Sequence, residues 1–218
     1  MPCMAKKYEC ALPEMNDAGH GQDVDVVLTS RELARMIKAC HVNVPALDDE
    51  DFDSLLGAGT GAGYIFGATG GVMEAALRSV YYLATGKNPQ PDAFSDVRGS
   101  FGWREATVTI NGSPVRAAVA SGLANARELI EKIKSGEASY DFVEIMACPG
   151  GCVGGGGQPI ADGEELAPER APTLYTLDRG APVRFSHENP SVQKAYEEFF
   201  GKPLSHKSHE LLHTHHGG

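Results

Sequence analysis

Fourteen residues constrain this chain more than any others: Met146-Ala147-Cys148-Pro149-Gly150-Gly151-Cys152-Val153-Gly154-Gly155-Gly156-Gly157-Gln158-Pro159, directly after the apolar run 140–145. Two thiols four positions apart, set among six glycines and bracketed by prolines, form a cradle for a metal cluster. Glycine has no Cβ, so backbone amides can approach bulky inorganic sulfur closely and donate hydrogen bonds to it. Pro149 stops the chain after Cys148 from running on as a helix. The alternative is a flexible linker with incidental cysteines. Linkers rarely follow an apolar strand and rarely carry paired thiols. Two cysteines do not complete a four-thiolate site, so further ligands must come from elsewhere.

Cysteine usage agrees with that reading. Five cysteines at irregular spacing in 218 residues favour reduced thiols and metal ligation over a disulfide framework. A reducing compartment, the cytoplasm, is expected, or the periplasm if a partner carries an export signal. The net charge of −10 excludes the basic face that a nucleic-acid partner requires. With no apolar run of 18 residues and no charged-then-apolar leader, neither a membrane span nor a secretory signal is expected.

The remaining segments read as alternating strands and helices. Met1-Pro2-Cys3-Met4-Ala5-Lys6-Lys7-Tyr8-Glu9-Cys10 opens the chain, which puts a potential ligand where chains tend to fray. Val24 to Thr29 reads as a buried parallel strand running into Ser30 as an N-cap. A helix is expected from Arg31 to about His41, with Leu33, Met36, Ile37 and Cys40 inward and Cys40 a core thiol. Asp48 to Asp53 is expected as a solvated acidic loop. The Gly-rich stretch Leu56 to Gly71 carries no Gly-Lys-Ser/Thr ending and no Gly-x-Gly-x-x-Gly spacing, so a nucleotide is not indicated.

A helix is expected over Gly71 to Thr85, with Val72, Met73, Ala76, Leu77, Val80 and Tyr81 inward and Gly86 as its stop. Trp103 to Ile110, Asn111-Gly112 and Val115 to Ala120 spell a hairpin. Gly122 to Lys134 follows as a helix with Leu123, Ala126, Ile130 and Ile133 inward, ended by Gly136 ahead of a strand at Tyr140. Beyond the cysteine loop the pattern turns helical: Ala171 to Leu177, then from Pro190 after Asn189 to Gly201, with Val192, Ala195, Tyr196 and Phe199 inward. The terminal His206, His209, His213, His215 and His216 are metal-ligand candidates by spacing. The blander reading, a short helix anchored by Leu211 and Leu212 with histidines on its surface, is preferred.

These residues resemble the FeFe hydrogenases. The family's second signature motif is similar to Met1-Pro2-Cys3-Met4-Ala5-Lys6-Lys7-Tyr8-Glu9, and its third to Glu144 through Cys152, continuing through Gly157-Gln158-Pro159. Phe66-Gly67-Ala68-Thr69-Gly70-Gly71-Val72-Met73-Glu74 resembles the loop beside the family's active site. Ser186-His187-Glu188-Asn189-Pro190 and His209 through His215 are similar to its small-subunit region.

The resemblance implies a cubane 4Fe4S cluster joined through one cysteine sulfur to a diiron unit carrying CO, cyanide and a bridging azadithiolate. It assigns Cys3, Cys148 and Cys152 to the cubane, with Cys152 bridging. Lys6 would donate to a cyanide, Met1 and Met146 would pack around the diiron ligands, and Phe66, Gly67, Pro2 and Ala147 would border the cofactor. The activity implied is reversible reduction of protons to H2, evolving or oxidising, with a ferredoxin-like electron carrier. The family's first motif, which supplies the fourth cubane cysteine and the proton-relaying cysteine, has no counterpart here. A missing N-terminal half or a partner subunit would supply it, and Met1 is expected to be preceded by further residues. A second reading is a non-catalytic iron-sulfur protein holding only the 4Fe4S cluster. The fold expected is one lobe of an α/β domain, a small mostly parallel sheet flanked by helices, with residues 1–165 as the cluster domain and 166–218 as a helical tail.

Overall fold

At Asn111-Gly112 both residues have positive φ, 50° and 79°, the conformation that a two-residue hairpin turn demands and that Asn-Gly supplies. In the computed structural model, this turn joins strand β1 (Trp103–Ile110) to β2 (Ser113–Ser121), with Ile110 opposite Ser113 and Trp103 opposite Ala120. The structure describes residues 3–16, 19–51, 53, 58–161, 163–164 and 166–213. Met1, Pro2, His215, His216 and parts of the acidic and first Gly-rich stretches lie outside the described residues.

In chain order the helices are α1 (Ala5–Glu9), α2 (Ser30–Ala39), α3 (Gly61–Ile65), α4 (Gly71–Thr85), α5 (Leu123–Ser135), α6 (Ala167–Gly180), α7 (Pro190–Ala195) and α8 (His206–Leu212). Strand β3 (Phe142–Met146) follows α5 and pairs in parallel with β2, so the sheet order is β1-β2-β3, with one antiparallel and one parallel pairing. A β-helix-β crossover needs a helix to carry the chain back along the sheet, and α5 provides it.

Central strand β2 is covered on both faces because its alternate residues serve two cores. Ala117 and Val119 pack with Met73, Leu77, Phe94 and Val97 under α4. Ala118 and Ala120 pack with Ala126 and Leu129 under α5. Full burial of Met73 or Leu129 contributes roughly 1.5–3 kcal/mol each. A third cluster, Ile65, Ala68, Val153, Ala167, Ala171 and Tyr175, joins α3, the cysteine loop and α6. The expected α/β lobe, a small sheet flanked by helices with a helical tail, is the architecture found, but the sheet is mixed rather than mostly parallel because β1 joins it through the tight hairpin turn, which forces an antiparallel pairing.

Helix ends follow the local chemistry. Thr29 and Glu32 form a capping box on α2, Asn189 accepts from Ser191 and Val192 at the start of α7, and Gly86 and Gly136 are left-handed at the ends of α4 and α5.

Several expectations are corrected. Residues 24–28 form no strand, and Val24, Val26 and Leu28 are exposed; among the described residues the sheet consists of β1, β2 and β3 and does not include them. Cys40 is exposed rather than in the core, as are Leu33 and Met36, since nothing described packs on that face of α2. Val80 is also exposed, whereas Glu74 and Arg78 on α4 are buried. On α5 the fully buried residue is Leu129; Leu123 is 68% exposed because it sits at the first turn beyond the sheet's cover. Helix α6 runs well beyond 171–177 at both ends, with Pro172 within it. Val192 and Phe199 are exposed, and so are Leu211 and Leu212, so neither leucine anchors α8.

Candidate metal centre

Strand β3 delivers the cysteine loop, and neighbouring backbone fixes it. Gly122 donates its amide to Met146 O at 2.7 Å as the loop begins. Thr69 N donates to Gly150 O at 3.1 Å and Val153 N to Gly67 O at 3.0 Å, so the 66–70 loop lies along the cysteine loop. Ser121 Oγ accepts the Gly150 amide at 2.8 Å while its own hydroxyl donates to Ser100 O. Contact is closest at Gly151. Its φ is +95°, and a Cβ there would lie 2.8 Å from both Gly67 O and Thr69 N, so only glycine lets the two loops meet.

Glu144, two residues before Met146, anchors the same junction from beneath. Its buried carboxylate accepts the amides of Gly70 at 2.7 Å and Met73 at 2.6 Å, the start of α4, where the helix dipole favours negative charge. Burial pushes its pKa up, and the two amide bonds oppose that rise.

The thiols gather at this junction. Cys3, Cys148 and Cys152 are all half-buried, and no disulfide joins any of the five cysteines. Burial raises the Cys152 thiol pKa; Cys148 and Cys3 raise it further and Lys6 lowers it, so these three groups lie within electrostatic reach of Cys152. Lys6 is half-buried on α1 and ion-paired with Glu9. Helix α1 is held against the chain by Lys7, which donates to Val27 O at 2.7 Å and pairs with Glu32 at 2.9 Å.

Cys152 also borders a cavity of about 490 Å³ whose walls include Tyr64, Phe66, Gly67, Val153 and Leu174. Phe66 is 44% exposed and Tyr64 likewise open on this side. Met146 is half-buried at the end of β3 and Ala147 is exposed beside Cys148. The structure thus brings together Cys3, Lys6, Phe66, Gly67, Met146, Ala147, Cys148 and Cys152 around one junction. Met1 and Pro2 lie outside the described residues.

The donor set fits a 4Fe4S cluster lacking one ligand: three thiols, a nearby ammonium and a glycine-lined approach. Among the described residues no three His, Cys, Asp or Glu side chains lie close enough to share a single metal ion, which applies equally to His206, His209 and His213. Thiols around an inorganic cluster stand further apart than the ligands of one ion.

Sequence reasoning missed the supports of this site. Glu144 enters it only as part of a motif; a carboxylate midway along a short apolar strand is the available signal. Arg31 and Arg170, which bond the loop's carbonyls, carry none.

Comparison with known proteins agrees with the geometry. The family model for the C-terminal domain of the iron only hydrogenase large subunit matches residues 1–156, and that for the iron hydrogenase small subunit matches 164–217. The NADP-reducing hydrogenase subunit HndD of Solidesulfovibrio fructosivorans is 53% identical over 216 residues, 99% of this chain and 37% of its own length. Iron hydrogenase 1 of Clostridium pasteurianum is 43% identical over 218 residues, 98% of this chain and 38% of its own. A solved apo [FeFe]-hydrogenase HydA1 from Chlamydomonas reinhardtii, a cysteine-to-histidine variant, superposes with a TM-score of 0.78 at 40% identity, covering 99% of this chain and 61% of that one. The chain therefore spans about two fifths of the length of these curated relatives. Motifs, junction and family models converge, and the chain belongs to the FeFe-hydrogenase family, running from the last domain of its large subunit through its small-subunit region.

Proposed function

We propose that this chain forms one side of the H-cluster site of an FeFe hydrogenase, which reversibly reduces two protons with two electrons to H2. Cys3, Cys148 and Cys152 would hold the 4Fe4S cubane, with Cys152 as the thiolate shared with the diiron unit, for which the cavity beside Phe66 and Gly67 leaves room. The bound H-cluster supplies the electron and proton chemistry. The chain's residues bind it, orient it and keep water away.

The observation that carries this reading is the position of Cys152: it borders the cavity at Phe66-Gly67 and lies within electrostatic reach of Cys148, Cys3 and Lys6. A protein holding a cubane alone has no use for a large cavity at the bridging thiol, nor for an ammonium such as Lys6 within electrostatic reach of it. The ammonium of Lys6 suits a buried anionic ligand. Met146 and Phe66 supply soft, apolar contact that excludes solvent. The fourth cubane thiolate and the proton-relaying cysteine come from the part of the enzyme that carries the first cysteine motif, whether in the same chain or in a partner subunit. Residues 1–165 form the cluster domain and 166–218 the small-subunit-like tail. Electrons arrive from a ferredoxin-like carrier, and the thiol content suits a reducing, cytoplasmic compartment.

The test is to produce the complete enzyme, this chain with the part bearing the first motif, with and without maturation of the diiron unit. H2 evolution from a reduced viologen only in the matured form, with cubane electron paramagnetic resonance (EPR) in both, supports the reading. Cubane without H2 turnover after full maturation rejects it.

A further inference from the structure

Two arginines from separate elements take hold of the same flexible run. Arg31, at the start of α2, donates from Nη2 to Gly156 O at 2.7 Å and from its amide to Gly157 O at 3.2 Å. Arg170, on α6 in the small-subunit-like region, donates from Nη1 to Val153 O at 2.9 Å and from Nη2 to Pro159 O at 2.7 Å. Four carbonyls of 153–159 are thereby fixed from outside. A glycine-rich segment has the greatest backbone freedom of any, so its single conformation requires such donors.

The direction of these bonds matters. In a trans peptide the following N–H points opposite to the carbonyl. Drawing the carbonyls of Val153 and Gly157 toward the two arginines turns the amides of Gly154 and Gln158 back into the loop, where they donate to Gly151 O at 3.0 Å and Gly155 O at 2.9 Å. Gln158 Nε2 also reaches Cys152 O at 3.4 Å. The segment next to the bridging thiol is thus set by the two guanidiniums together with the Arg31 backbone amide.

Among the described residues neither arginine is part of an ion pair. Arg78, Arg98 and Arg184 are each paired with carboxylates, at 2.6–2.8 Å. Among the described residues no carboxylate oxygen lies within ion-pair distance of Arg31 or Arg170, and both bond neutral carbonyls instead. The two guanidiniums therefore bond carbonyls that lie one to seven positions beyond Cys152 along the chain.

We propose that Arg31 and Arg170 are positioning residues for Cys152 that also raise the reduction potential of the iron-sulfur centre it ligates. Reduction adds negative charge to the cluster, and a nearby cation stabilises that state. The small-subunit-like region is then part of the electrostatic scaffold of the centre through Arg170. This inference rests on the H-cluster reading above, and its test separates the two.

The experiment is a redox titration, followed by EPR, of the complete enzyme matured without its diiron unit, comparing the parent with R31Q, R170Q, R170K and R179Q. Arg179 is an exposed residue of the same helix whose side chain, among the described residues, bonds Thr176 and not the loop, so R179Q makes an equal charge change away from it. At the parent midpoint, R31Q and R170Q should each raise the oxidised-to-reduced ratio about threefold to tenfold. R170K, which keeps the charge and loses the fork, should stay near the parent midpoint with a broadened signal. R179Q should titrate as the parent does. Unmoved midpoints and signal shapes in R31Q and R170Q at full iron content overturn the proposal, as does an equal shift in R179Q. If R170Q fails to retain iron, R31Q and R170K decide on the same criteria. A parent that holds no cubane defeats the H-cluster reading itself; a loaded parent with unmoved variants defeats this inference alone.

Discussion

Glu144 on β3 accepts the backbone amide of Met73, 2.6 Å away, and so locks the strand that delivers Cys148 and Cys152 to the first turn of the helix behind Phe66 and Gly67. The same carboxylate takes Gly70 N. Replacing Glu144 with Ala leaves two buried N–H groups unpaired, a loss of about 2–5 kcal/mol. Glu144→Gln keeps one acceptor and should lose about half as much. Urea unfolding of the complete enzyme gives these values, and iron analysis should show diiron loss in Glu144→Ala before cubane loss.

A second prediction concerns the ion network where the two family segments meet. Arg78 and Asp178, one hundred positions apart, are both buried and share two bonds of 2.9 and 2.8 Å, with Glu74 and Arg184 completing the set. Asp178→Ala should destabilise by about 3–5 kcal/mol because Arg78 is left buried with part of its charge unanswered. Arg78→Leu with Asp178→Leu should be milder than the sum of the single changes. A double-mutant cycle by denaturant unfolding measures the coupling.

Acid sensitivity follows from Asp92. The Arg98 guanidinium beside it outweighs partial burial and, with Arg184, holds its carboxyl at about 2 instead of the ordinary 3.8. A carboxyl with a depressed folded value stabilises the fold above pH 3.8, and that contribution fades as pH falls from 3.8 toward 2. Glu144 behaves oppositely: its folded value is raised above 4.5, so its ionisation costs stability as pH climbs through that value. Asp92→Asn should therefore flatten the pH dependence of Tm below about pH 4 and leave the slope above it alone. An unchanged slope below pH 4 argues against the pairing.

Gly151 should tolerate no side chain. Gly151→Ala places a Cβ 2.8 Å from Gly67 O at a φ of +95°, so the loops must separate, and cluster content should fall by more than half. Cys40→Ser, at an exposed position, should change stability by less than about 0.5 kcal/mol and leave iron content intact. Iron analysis of purified variants separates these outcomes.

Much of the scaffold was legible in the sequence because local chemistry decides it. Asn111-Gly112 could hardly be anything but a hairpin turn, and Gly86, Gly136 and Asn189-Pro190 mark their helix ends by backbone preference alone. The site was legible through Cys148, Cys152 and their glycines. Non-local matters were hidden. Val24 to Leu28 has the composition of a strand, yet strand formation needs a neighbouring strand, and among the described residues these positions belong to no sheet. Cys40 sits on an apolar helix face that the described chain leaves uncovered, so periodicity placed it inward and the fold did not. Nothing local signals the burial of Glu74 and Arg78; Asp178, far along the chain, helps to permit it.

The most direct test of the H-cluster assignment is infrared spectroscopy of the complete, matured enzyme beside its Cys152→Ser variant. Bands of iron-bound CO and cyanide should be present in the parent and lost in Cys152→Ser, since an alcohol is a far poorer bridge than a thiolate. A parent fully loaded with iron and turning over H2 without such bands, or a Cys152→Ser variant that keeps them, would contradict the assignment.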